Sequence, residues 1–448
     1  MSANHCRATR PHVCFAIVSA LLGTLALLST TASAGTPTIW VGPPNGTDDT
    51  TALQTALNDC MTNYPTGCTI QLSVGTYYTM QLTATNFHGA IAGRGMDVTV
   101  IAALTPFPSV LTLLRFIDSD IAISDMSLKV TAYQPVVPCD PSDGNFCGLA
   151  ALVGVYGTTA SASIRRVSFE GGPGPDWGFG AYNLYGGLLF GTGLDSNGQG
   201  TKGNLQVSDS RFKNSSENLR AYGSTDSHVT IGGSGAAGNT FENAVISVAV
   251  FDSVRSVVDV SHNTASACGT GACLFILQGQ DVQHDPAQFL VQHNTVKAAG
   301  DFATGILVAD TTHLLPGAKA SQIVISNNDV VTSPNSYDGI QSDVTEGLVV
   351  SNNRVSGSGI FAIDTNGDTQ CLLHGNNVQN FNPDFVDIGL MAPTSDCTVV
   401  GGSTKDNVYD EGTNDTIVGI NNMRGNPPGP AIKQAMQTKQ ALLKLARH

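Results

Sequence analysis

Apolar and polar positions alternate along most of this chain, and between Gly203 and Met423 the alternation becomes a repeating unit. A β-branched run ends in a polar step and an asparagine at Val257-Val-Asp-Val-Ser-His-Asn263, Phe289-Leu-Val-Gln-His-Asn294, Ile323-Val-Ile-Ser-Asn-Asn328, Leu348-Val-Val-Ser-Asn-Asn353 and Leu372-Leu-His-Gly-Asn-Asn377, with a weaker copy from Val229 to Asn239. Successive asparagines from Asn239 lie 24, 31, 34, 25 and 24 residues apart. The shorter spacings suit one coil of a β-solenoid, and the longer ones place their excess in a side loop, because a turn between coils tolerates insertion and a strand does not. A second motif, Gly305-Ile-Leu-Val-Ala-Asp310, Gly339-Ile-Gln-Ser-Asp343 and Gly359-Ile-Phe-Ala-Ile-Asp364, gives each coil at least two short strands. Alternation such as Ile323 and Ile325 against Val324 and Ser326 puts one set of side chains inside and the next on an outer wall. Stacked coils then carry Val, Ile and Leu columns within. They also carry an asparagine column at a turn, a structural ladder whose amides donate and accept along the stack and tolerate left-handed backbone angles.

The ends depart from this pattern. Residues 1–34 read as an export signal: Arg7 and Arg10, an apolar stretch from Phe15 to Leu28, and Ala32-Ser33-Ala34 as a cleavage site. Residues 35–424 read as one solenoid domain, of which 35–101 form a cap and the first coils. In the cap, Asp48 and Asp49 precede a helix with Leu53, Ala56, Leu57, Cys60 and Met61 on one face. From Gly425-Asn-Pro-Pro-Gly-Pro430 the chain changes to a linker and an amphipathic helix. That segment carries Lys433, Lys439, Lys444 and Arg447 and no acid, and is expected to dock on the acidic solenoid or cover its last coil, the alternative being binding to a membrane surface or a partner. No second apolar run is long enough to span a membrane.

Composition narrows the partners and the compartment. A formal net charge of −14, with 12% charged residues and 49 glycines, offers no basic stripe for nucleic acid. Beyond the signal eight cysteines remain, and nearest-neighbour pairing gives Cys60 with Cys68, Cys139 with Cys147, Cys268 with Cys273 and Cys371 with Cys397. No Cys-x-x-Cys or His spacing favours a metal role. A secreted or periplasmic location follows.

The run from Asn45 to Ile101 joins the cap helix, Cys68-Thr-Ile-Gln-Leu-Ser-Val-Gly-Thr-Tyr77 and Gly93-Arg-Gly95. It resembles the amino-terminal cap of the pectate-lyase-like superfamily. The resemblance implies an all-β, right-handed parallel β-helix, with a capping helix laid over the open end of its first coil. It specifies fold better than chemistry.

Acids just before the second strand motif, Glu217, Glu242, Asp301 and Asp338, are the catalytic candidates. If their register holds they form a line on one outer face, with neighbours about 5 Å apart, a spacing that retaining sugar hydrolysis uses. Arg220 and Tyr222 are placed to hold an acidic sugar or donate a proton. Trp177, Tyr182 and Tyr185, in a glycine-rich insertion, are candidate sugar-stacking residues. The same acids could instead bind Ca2+, as lyase members of the superfamily do. Tyr337-Asp-Gly-Ile340 resembles the first acid of the polygalacturonase pattern, but the next coil has Ser356-Gly-Ser-Gly-Ile360 where paired aspartates belong. The Gly-His-Gly element, the epimerase string Tyr-Gly-x-Asp-Pro-His-Asp-Asp and the pectate-lyase Arg-x-Pro-x-x-Arg are all missing. The expectation is an exported polysaccharide lyase or glycoside hydrolase working in an external groove; the alternative is a noncatalytic surface β-helix that binds glycans or serves as a scaffold.

Overall fold

The computed structural model describes residues 36–104, 112–131, 149–172, 184–233, 238–269, 271–279, 285–357, 359–381, 386–404 and 408–420. The expected export signal, the expected carboxyl-terminal helix, the expected Cys139 and Cys147 pairing, and Trp177 and Tyr182 fall outside the described residues. From Pro37 the chain coils as a parallel β-helix whose described strands form one 34-stranded sheet and a two-stranded sheet of Thr201–Lys202 with Ser224–Thr225. Each coil contributes to three strand stacks. In the first stack one inward column runs Ile39, Ile70, Ile91, Ile123, Ile164, Val207, Ile231, Val260, Val291, Ile325, Val350, Leu373, Val399 and Ile417, each paired in register with the next. The third stack has a matching column from Leu82 through Leu219 and Ile340 to Val408. In the second stack Phe169, Phe212 and Phe241 stack ring on ring with centroids 4.4 and 5.0 Å apart. Columns of this kind form one continuous core, and each fully buried Val, Leu or Ile contributes roughly 1.5–3 kcal/mol.

The asparagine ladder is real and differs in one rung from the sequence expectation. Asn239, Asn263, Asn294, Asn328 and Asn353 each donate through Nδ2 to the Oδ1 of the next, at 3.0–3.1 Å, and the last acceptor is Asn376, not Asn377. From Asn263 to Asn376 each ladder Oδ1 also accepts the backbone N–H of the preceding rung, and Asn239 Oδ1 accepts that of Ser210. The left-handed angle falls on the residue before the rung: His262, His293, Asn327, Asn352 and Gly375 have φ of 59°, 56°, 56°, 54° and 65°. The rung itself faces inward. The two long intervals put their excess after the third-stack strands Ala272–Gln278 and Thr304–Asp310. Asp310 closes the second of these loops by accepting from Thr312 N at 2.9 Å and Ser321 N at 2.8 Å.

At the amino-terminal end a helix, Thr50–Asn63, buries Leu53, Ala56, Leu57 and Cys60 against the first coils, with Met61 half-buried beside them. Asp48 Oδ1 accepts from Thr50 N at 2.9 Å and caps the helix. Asp49 occupies the cap position but turns away, accepting from Asn45 N and Tyr78 N and so fastening the helix to strand Gly75–Thr79. Gly93 is glycine because a Cβ there would stand 2.1 Å from Asp125 O of the next coil. Disulfides Cys60–Cys68, Cys268–Cys273 and Cys371–Cys397 are formed.

Candidate functional site

The outer face of the third stack gathers the chemistry. Two strands, Arg211–Tyr222 and Thr240–Phe251, run unbroken from the second stack into the third. Leu219 and Val248 point into the main core, whereas Ile246 and Ala249 form a separate cluster with Phe251 and Phe275 on the outside. The outward residues line up in two columns. One holds Thr83, Arg115, Gly154, Leu189, Arg220, Ala249, Phe275, Leu307, Gln341, Asp364, Gly389 and Tyr409. The other includes Ile117 paired with Tyr156, and a run of Tyr222, Phe251, Leu277, Ala309, Asp343, Asn366 and Met391. From Arg115 to Leu277 these side chains, Ala249 and Gly154 apart, are half-buried or exposed; from Leu307 to Asp364 they are buried.

Glu217, Arg220 and Tyr185 make a compact cluster on the accessible half. Arg220 Nε lies 2.5 Å from Glu217 Oε2, and Arg220 Nη2 donates to Glu217 Oε1 at 2.7 Å. Tyr185 Oη donates to Glu217 Oε1 at 3.1 Å. The guanidinium carbon is 5.2 Å from the Tyr185 ring centroid and 4.9 Å from that of Phe251, within cation–π range. Tyr222 and Phe275 meet Phe251 edge to face, at 6.1 and 5.4 Å. Burial and the Glu217 charge push the Tyr185 hydroxyl well above the ordinary phenol range, so it stays protonated. Burial works against the Arg220 charge, but the adjacent Glu217 carboxylate outweighs it and the guanidinium is held charged.

The candidate acids do not form the expected line. Glu217 and Asp338 lie on strands four apart in the third stack, a separation of roughly 19 Å at the usual strand spacing. Asp338 is fully buried, and its Oδ1 accepts from Phe361 N at 3.1 Å. Glu242 lies on the second stack, because its strand turns the corner only after Asn243; there it pairs in register with Lys213 and Ser266. Asp301 is exposed at a corner and accepts from Asn335 Nδ2 at 2.8 Å. Arg220, the candidate for holding an acidic sugar, pairs with Glu217.

Tyr156, Phe251, Phe275, Asp343 and Asp364 also face outward on this stack and were not among the sequence candidates. Both oxygens of Asp343 accept from Gln341 Nε2, at 3.0 and 2.9 Å. The motifs ending in Asp310, Asp343 and Asp364 did signal these acids, but Asp310, pairing with Gln278, stands one position beyond the Asp343 column. Among the described residues no group of three or more His, Cys, Asp or Glu side chains is placed to hold a metal ion, and no helix is long and apolar enough to cross a membrane.

The strand stacks and their register define a right-handed parallel β-helix. Solved structures similar to it include the A-module of the Azotobacter vinelandii mannuronan C-5 epimerase AlgE6, at TM-score 0.51 and 14% identity over 86% of this chain and 96% of that one. The Dettilon tailspike protein matches at TM-score 0.53 and 13% identity, covering 85% of this chain and 68% of its own. The AlgE4 A-module of the same Azotobacter species matches at 0.50 and 13%, covering 83% and 91%. No family model matches the chain, and no curated protein resembles it in sequence.

Proposed function

We propose that this chain is an exported carbohydrate-processing protein that lays an extended polysaccharide along the outer face of the third stack. The observation that carries this reading is the alignment of half-exposed Tyr156, Arg220, Tyr222, Phe251 and Phe275 in two register columns. Aromatic rings on successive strands give apolar surface against which sugar rings can pack. Two of the similar structures are mannuronan C-5 epimerase modules, whose name specifies a polysaccharide, and the disulfides suit an oxidising compartment. Chemistry of the lyase or hydrolase type would centre on Glu217 as the carboxylate, with Arg220 and the protonated Tyr185 hydroxyl fixing its orientation. A noncatalytic glycan-binding role is the second reading. It is favoured by the engagement of both Glu217 oxygens, and by the distance to Asp338, well beyond the 5–10 Å or so of paired glycosidase carboxylates.

The test is incubation of the protein, and of Glu217→Gln, with uronate-rich and neutral polysaccharides, following unsaturated-product absorbance and new reducing ends. A signal in wild type that is lost in Glu217→Gln supports catalysis at this cluster. Polysaccharide binding without any product supports the second reading. Neither binding nor product across the panel overturns the proposal.

A further inference from the structure

We infer that the chain recognised on the third-stack face is a neutral glycan, not a polyanionic one. The inference rests on the use of that face proposed above and adds the substrate class; of the two chemistries named there it keeps the hydrolase and excludes the lyase, whose elimination requires a uronate carboxylate. Its basis is how the charges in the two outward columns are spent.

Among the described residues of these columns only Arg115 and Arg220 are cationic. Arg220 is the central one, and its charge is already matched. One edge of the guanidinium is occupied by Glu217, and the Tyr185 and Phe251 rings lie against it. Opening that pair for a carboxylate on the ligand would leave Glu217, itself buried, without its counter-ion, which is costly. Arg115 stands three strands away, beyond Leu189 and Gly154. One isolated cation cannot offset a polymer with a charge on every unit. In the other direction the face turns acidic: the columns reach Asp343 and Asp364 with no basic residue between. The whole chain carries −14, so a polyanion would approach against an unfavourable field.

What the accessible part of the face offers is apolar. Phe251, Phe275 and Leu277 present rings and methyl groups beside Tyr222. These suit the C–H faces of uncharged pyranose rings, which bring no ionic group to be desolvated.

The experiment is calorimetric titration of the full chain at low and high ionic strength. The neutral probes are cellohexaose, xylohexaose and mannohexaose; the anionic probes are hexagalacturonate and hexamannuronate. The expected result is binding of a neutral hexasaccharide with an affinity insensitive to salt, weakened about tenfold in Phe275→Ala. The wild-type salt comparison needs no variant, so a folding defect in Phe275→Ala leaves the test intact. Binding of anionic hexasaccharides alone, tightening as salt is lowered, overturns the inference and leaves the proposed polysaccharide role standing. Binding of neither class overturns both.

Discussion

Asn294 Nδ2 donates to Asn328 Oδ1 at 3.0 Å across a coil boundary, while Asn294 Oδ1 accepts the backbone N–H of Asn263 at 3.0 Å. One side chain therefore satisfies buried groups on both neighbouring coils, including Val260 O. Replacing Asn294 by Ala leaves the Asn263 N–H and Val260 carbonyl buried without partners. The expected loss is about 1–3 kcal/mol for each orphaned group, read from the midpoint of denaturant unfolding. A midpoint unchanged in Asn294→Ala would show that water replaces the rung.

Asp368 gives stability a pH dependence of unusual sign. It is fully buried, accepting from Thr345 N at 2.7 Å with Ser342 Oγ against its other oxygen, and burial pushes its carboxyl up to about 7. The folded chain thus holds this proton more tightly than the unfolded chain, whose carboxyl titrates near pH 4. The Asp368 contribution is complete below about pH 4 and is lost as pH rises through about 7. Asp368→Asn should abolish this part of the pH dependence and gain stability relative to wild type above pH 7. Parallel stability profiles for the two proteins between pH 4 and 8 would show that Asp368 does not titrate there.

The Glu217 and Arg220 pair should be strongly coupled. Arg220→Ala leaves a carboxylate buried without its counter-ion, and the expected loss is about 2–3 kcal/mol, reduced from the fully buried case because the Arg220 side chain is 28% exposed. Glu217→Gln with Arg220→Met together should recover most of that loss. Strict additivity in this double-mutant cycle would mean that the two groups act independently.

Disulfide removal should follow loop length. Cys371 and Cys397 close a separation of 26 residues and Cys268 and Cys273 one of 5. Chain entropy predicts that the Ala pair at the former site loses about 1.5 kcal/mol more than at the latter. Equal losses in calorimetric melting would point to local packing as the dominant effect.

Sequence patterning revealed the solenoid because its inward columns repeat a single residue class over the whole length. From Ile39 to Ile417 every position of one column is Ile, Val or Leu. The cap helix was legible from its apolar spacing, and the side loops from the excess between asparagines. The last rung was misplaced because Leu372 pairs with Val349 and not with Leu348, so this coil is 23 residues long and the first of the adjacent Asn376 and Asn377 is the rung. The candidate site was far less legible. Whether Glu242 faces the same side as Glu217 depends on where a strand turns its corner, and a bend at Asn243 moves it to another wall. Phe251 and Phe275 look like ordinary core residues in one dimension. Only register across coils shows them sharing an outer surface with Arg220 and Tyr222.

The two strands that turn the corner without interruption also have a mechanical meaning. From Arg211 to Tyr222 the backbone is paired with Thr240 to Phe251 across the bend. A tug on a ligand at Arg220 directed along these strands loads many of the cross-strand bonds together, in shear. The same tug along the solenoid axis would peel coils apart one after another. A polymer laid along the columns crosses successive coils, so a pull along its length falls on the bonds between coils, and the two unbroken strands resist only the part of the pull that runs across the face.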